Sequence, residues 1–212
     1  ASGDYVGITA TWSDEVYVAN KDNQAALSDI YRYDDSGAAF SANLVGATTP
    51  FDLFPDPLAL NDCLYLGSGT GPFCSLVFDV GDVAASANAV TWEYWNGAWV
   101  ALTVFDDKTN YDQFEVAGVG ALVWQQPTDW AQTTINGDNY YWVRARISTA
   151  SGNTPTQQNR DIYTVTKSSV DIEDTEIDGD LTAIPKINTV TLCESNGTAD
   201  RMIISLRSNS RG

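Results

Sequence analysis

Residues Asp171 to Asp180 carry six carboxylates in ten positions: Asp171, Glu173, Asp174, Glu176, Asp178 and Asp180. Clustered oxygen donors suit a hard divalent cation, and Asp174-Thr175-Glu176-Ile177-Asp178-Gly179 approximates the first half of a calcium loop. The template then fails, because Pro185 stands where the closing bidentate glutamate belongs. The expectation is loose calcium binding by Asp174, Glu176, Asp178 and Asp180, weighed against an ordinary solvated acidic loop. Paired carboxylates also perform glycoside hydrolysis, but nothing in the pattern singles out one acid with a raised pKa.

Other chemistry is limited by what the chain lacks. It contains no histidine, so Ser-His-Asp and Cys-His machinery and imidazole zinc sites are excluded. Its three cysteines cannot make a four-thiolate metal site alone. Cys63 and Cys74 flank a glycine-rich turn, Gly67 to Pro72. They either close a hairpin disulfide in an oxidising medium or remain buried thiols, and Cys193 is left over in both cases. The chain reads as non-enzymatic, with no cofactor beyond the calcium candidate.

Two pairs of side chains remain as recognition candidates. Trp95 and Trp99 lie nearest the Asn96-Gly97 tip, where exposed indoles stack on sugar rings or meet a partner. Arg144 and Arg146 alternate on a strand and so share one face. In a chain poor in cations they are expected to pair with Asp129 or Glu93, to stack on an aromatic ring, or to make an intersubunit contact.

The elements that must position these groups are strands. Among 212 residues, 43% are hydrophobic and 18% charged, the balance of a globular chain and not a disordered one. Short runs rich in Val, Ile, Thr, Tyr, Phe and Trp recur between Gly, Asn, Asp and Pro clusters, including Cys63 to Leu66, Leu76 to Val80, Val90 to Trp95 and Tyr140 to Ile147. One-turn helical pieces are predicted only near Asn23 to Asp29 and Asp129 to Thr133. The fold class is all-β, an antiparallel β-sandwich with added N- and C-terminal strands that could form a second small subdomain.

Asn96-Gly97 predicts a two-residue type I′ turn that pairs Tyr94 with Trp99 and Trp92 with Ala101. Three zones follow: 1–59, closing in a proline-punctuated crossover and serving as a docking arm; 60–149, the aromatic module; and 150–212, a linker and further strands that pair back with the N-terminal ones. Proline at the density of Pro50, Pro55 and Pro57 rules out a helix or a central strand there.

Charge narrows the partners. Eleven Lys+Arg against 28 Asp+Glu give a net charge of −17, which repels phosphate backbones and anionic lipid. Nucleic acid and membrane are therefore not expected partners, and no run reaches the ~20 apolar residues of a membrane-spanning helix. Asp far outnumbers Glu and lysine is scarce, a texture compatible with a high-salt environment. Ala1-Ser2-Gly3-Asp4 shows no basic stretch followed by an apolar run.

The order of segments in the central zone carries a resemblance. Asp62-Cys63-Leu64-Tyr65-Leu66-Gly67 is followed by Leu76-Val77-Phe78-Asp79-Val80 and then Val90-Thr91-Trp92-Glu93-Tyr94-Trp95-Asn96-Gly97-Ala98-Trp99. Pro127-Thr128-Asp129-Trp130 and Tyr141-Trp142-Val143-Arg144-Ala145-Arg146-Ile147 close the series. Over roughly 90 of 212 residues this resembles a jelly-roll-like β-sandwich module of tailed-virus structural proteins, including head-decoration, tail and baseplate components. The resemblance implies a capsid decoration subunit, cement or turret, on the virion exterior after assembly in the host cytoplasm. Its partners would be the major capsid protein or other virion proteins and sister copies in a homo-oligomer. A tail, baseplate or receptor-adhesion component that meets a host-surface glycan is the nearest alternative, and a secreted carbohydrate-binding sandwich the next.

Overall fold

Side chains alternate along the strands between two environments, and two stacked sheets supply them. The computed structural model describes residues 5–10, 16–20, 24–106, 109–159 and 161–165. In chain order the strands are β1 (Tyr5–Ala10), β2 (Val16–Asn20), β3 (Gln24–Ala26), β4 (Asp29–Asp34), β5 (Ala39–Phe40), β6 (Phe51–Asp52), β7 (Cys63–Ser68) and β8 (Ser75–Val80). They continue with β9 (Ala89–Trp95), β10 (Trp99–Ala101), β11 (Phe105–Asp106), β12 (Gly118–Val123), β13 (Thr133–Ile135), β14 (Asp138–Thr149), β15 (Thr156–Gln157) and β16 (Tyr163–Val165).

The first seven-stranded sheet runs β10-β9-β14-β7-β4-β5, with β13 paired to β14. The second, also seven-stranded, runs β11-β12-β8-β15-β6, with β16 joined to β8 and β3 joined to β16. β1 and β2 form a separate two-stranded ladder. Every described pairing is antiparallel. The fold is an all-β antiparallel sandwich.

Leu64 and Leu66 on β7, Trp92 on β9 and Val143, Ala145 and Ile147 on β14 point between the sheets. Leu76, Phe78 and Val80 on β8 and Leu122 on β12 meet them from the other side. Burying each such side chain contributes roughly 1.5–3 kcal/mol. Leu53 and Phe54, from the proline-punctuated crossover, are fully buried in the same core. Phe54 meets Phe114 edge-on at 5.8 Å, and Phe114 meets Phe78 at 5.2 Å. That crossover therefore closes one end of the sandwich, with only Phe51–Asp52 paired, at the sheet edge.

Several expectations are corrected. The β9–β10 hairpin pairs Trp95 with Trp99, Tyr94 with Val100 and Glu93 with Ala101. Gly97 takes a positive φ of 109° but Asn96 does not, so the two-positive-φ requirement of a type I′ turn is unmet and Ala98 joins the loop. The one-residue slip moves Trp99 onto the face of Trp95 and Glu93. β10 is the edge strand of the first sheet.

Gln24–Ala26 is a strand and not a helical turn, drawn into the second sheet by β16. Trp130 follows a turn and precedes β13, and the short 3₁₀ helix falls instead at Tyr111–Gln113. Thr156–Gln157, inside the stretch read as a linker, pairs with β6 and β8, and Gln157 is fully buried.

The hairpin disulfide is not formed: Cys63 and Cys74 are both buried thiols. Cys63 opens β7, and the chain leaves that strand only at Ser68 for a strand of the other sheet. At ~3.3 Å per residue, Cys63 sits roughly 17 Å back along β7 from the turn beside Cys74, well beyond bonding reach. Tyr163 of β16 pairs with Ala26 of β3, which joins the start of the C-terminal zone to the N-terminal one.

Candidate functional site: the outer face of the first sheet

Antiparallel register sets side chains of neighbouring strands side by side, so the outer face of the first sheet reads as crosswise rows. One row places Ala101, Glu93, Arg144, Tyr65 and Tyr31 abreast. The next places Thr91, Arg146, Cys63, Tyr33 and Phe40 abreast. On the other side of the first row, Trp99 lies beside Trp95, and Trp142 beside Gly67 and Asp29. The result is an aromatic layer on the outside of the sandwich, with Tyr31, Cys63, Tyr65 and Trp142 buried within it.

Trp142 is fully buried although it points outward. Its indole lies flat on Gly67, where an added Cβ would sit 2.5 Å from the ring. Its Nε1–H donates to the Thr133 carbonyl at 3.1 Å, and Tyr65 and Tyr140 flank the ring at 6.4 and 5.8 Å. The β13 hairpin thus acts as a cover for this end of the layer. Tyr31 donates its hydroxyl to Asp138 of the same hairpin at 2.8 Å. Burial first, then the hydrogen bond to Asp138, pushes the Tyr31 phenol up to about 12. Asn43 donates to Asp29, whose carboxyl is raised by burial and by the nearby Asp138 charge.

Arg144 and Arg146 lie at the centre of the face and both reach Glu93. Arg144 Nε donates to Oε2 at 2.7 Å; Arg146 donates through Nε at 3.2 Å and Nη2 at 3.4 Å. Arg144 Nη1 donates to the Tyr65 hydroxyl at 3.2 Å, and the guanidinium carbon stands 4.3 Å from the Trp99 ring centre. Burial works against the Arg144 charge, but hydrogen bonds to Tyr65 and Glu93 outweigh it and hold its pKa above the ordinary arginine value. Burial pushes the Cys63 thiol up to about 11 and the Tyr65 phenol up to about 12. Both stay neutral at pH 7, so Glu93 is the one anion hydrogen-bonded to either guanidinium among the described residues.

Of the two carboxylates considered as arginine partners, Glu93 fills the role. Asp129 instead accepts from Tyr94 Oη at 3.0 Å and Asn96 Nδ2 at 2.8 Å, pinning the hairpin. Trp95 and Trp99 are half-buried, in edge contact at 5.4 Å. Tyr31, Tyr33 and Tyr65 are members of the face that sequence reasoning missed; alternation puts Tyr31 and Tyr33 on one side of their strand, and pairing with Cys63–Ser68 brings them to this face.

The calcium candidates Asp174, Glu176, Asp178 and Asp180 lie outside the described residues, as does Cys193. Among the described residues no three His, Cys, Asp or Glu side chains are grouped to hold a metal, and no helix is long and apolar enough to cross a membrane. A depression open to solvent, lined by Asp52, Asp82, Asn153 and Thr156, lies at the β6 edge. There Asp52 faces Arg32 at 3.6 Å. Compared with known proteins, the chain matches no protein-family model and no curated sequence.

Proposed function

We propose that this protein is a non-enzymatic structural subunit of a tailed-virus particle, a jelly-roll-like decoration protein of the capsid exterior. The observation that carries this reading is the burial of the large rings, in the core and in the outer layer of the first sheet. Trp92, Trp124, Trp130 and Trp142 are all buried, and the aromatic layers leave a stiff block suited to assembly. The resemblance over 60–149 supplies the particle, and the −17 charge favours a water-facing position over one against packaged DNA. Docking would bury a limited apolar patch against the shell or sister copies. The test is sedimentation: the protein should travel with intact particles and leave empty a defined lattice of sites when absent. A secreted monomer that never associates with particles refutes the proposal.

One observation favours a second reading, carbohydrate binding. Trp95 and Trp99, the indoles nearest the hairpin tip, keep part of their surface open to water beside Arg144. A glycan array tests it, with Trp95→Ala and Trp99→Ala expected to abolish any saturable signal.

A further inference from the structure

Among the described residues the cationic side chains are Arg32, Arg144 and Arg146. Arg32 meets Asp52 at one edge; the other two converge on one carboxylate, Glu93. Two guanidiniums and one carboxylate leave a residual single positive charge, in a chain whose total is −17. A guanidinium has five N–H donors. Arg144 uses two of them and Arg146 three, which leaves three and two without a partner among the described residues. Their side chains are 16% and 26% exposed, so water reaches them. Trp99 covers the Arg144 guanidinium at 4.3 Å and meets Trp95 edge-on at 71°, and both indoles are partly exposed.

We infer that this corner of the outer face is a recognition site for a sugar bearing one carboxylate, with the pyranose stacked on the Trp95 indole and its carboxylate on the spare guanidinium donors. The inference rests on the carbohydrate-binding reading and names its ligand class. Paired planar donors match a carboxylate, and an indole face matches the C–H face of a sugar. The residual charge is compensated by one anion, while the surrounding acidity repels a polyanion. A terminal acidic residue on an otherwise neutral oligosaccharide therefore fits better than a polyuronate.

Calorimetric titration of the whole protein tests this with lactose, with lactose capped by sialic acid or by glucuronic acid, and with the carboxamide of each capped sugar. At least one acid-capped sugar is expected to bind about tenfold or more tighter than lactose and its own carboxamide, the size of a charge-assisted hydrogen bond; which cap binds identifies the source of the carboxylate. Arg146→Gln and Trp95→Ala, checked for an unchanged melting profile, are expected to remove that preference and the binding respectively. Equal binding of lactose and the acids overturns the inference but leaves the carbohydrate reading standing. Binding of none overturns both. A folded Arg146→Gln protein that keeps the full preference also overturns the inference.

Discussion

The outer faces of the two sheets are built from different materials. On the first sheet the outward residues are rings and guanidiniums, and both Tyr31 and Tyr65 have hydroxyl partners. On the second sheet they are small: Val77, Ala121, Val119 and Val123, with Tyr163 as the one buried ring. Its hydroxyl is buried with no hydrogen-bond partner among the described residues. Both faces bury apolar surface, but hydrogen bonds pin Tyr31, Tyr65 and Trp142 on the first, whereas the buried ring of the second, Tyr163, has no such bond among the described residues. The rings of the first face are therefore oriented, and that of the second is held by packing.

The sharpest way to break this contrast is Trp142→Ala. Removing a fully buried indole from the outer layer should cost about 3–5 kcal/mol in denaturant unfolding, as in a true core; a loss below ~1 kcal/mol would mean that the layer is not one. Next is Glu93→Gln, which leaves two partly buried guanidiniums around a neutral amide. About 2–3 kcal/mol is expected, discounted from a fully buried pair because the arginines keep some solvent contact. Gly67→Ala should cost about 1–3 kcal/mol by forcing the indole off the sheet.

Acidification has a smaller effect, whose sign at the two buried carboxyls Asp62 and Asp29 is opposite to that at Asp34 and Asp129, which are lowered by hydrogen bonds. Burial raises the Asp62 and Asp29 carboxyls in the folded state. At these two groups the folded form thus binds protons more readily than the unfolded one. Their contribution to stability rises as pH falls from 7 through those raised values, and the gain is complete below the unfolded pKa of about 3.9. Asp62→Asn isolates this contribution: relative to the unchanged protein, the variant's melting temperature should be more favourable at pH 7 than at pH 4, and the reverse order contradicts the assignment. The smallest effect belongs to the second face. Tyr163→Phe removes a buried hydroxyl with no partner and should change stability by under ~1 kcal/mol, in the stabilising direction.

Much of the first face was legible in sequence, and the reason is local. Alternation alone put Arg144 and Arg146 together, and cation scarcity pointed to a carboxylate partner, Asp129 or Glu93, without choosing between them. Its full extent was not, because β4 reads as Asp-Ile-Tyr-Arg-Tyr-Asp, polar at both ends and charged in the middle. Only pairing with Cys63–Ser68 makes Tyr31 and Tyr33 members of a layer, and no local pattern encodes a partner some 30 residues away. The hairpin error has the same origin: Asn-Gly favours one turn in isolation, whereas the observed register sets Trp99 against Trp95 and over Arg144. Tertiary packing outweighed turn preference.

Strand order has a consequence for how the molecule is made. β14 lies between β7 and β9 in the first sheet, although it is the last of the three to leave the ribosome. The second sheet likewise waits for Thr156–Gln157 and Tyr163–Val165 to flank β8. Neither layer can close until synthesis has passed those residues, so Trp92, Trp95 and Trp99 emerge before β14, which flanks β9, exists. Such distant pairings close slowly, and the uncovered rings make the unfinished chain prone to associate with its own copies.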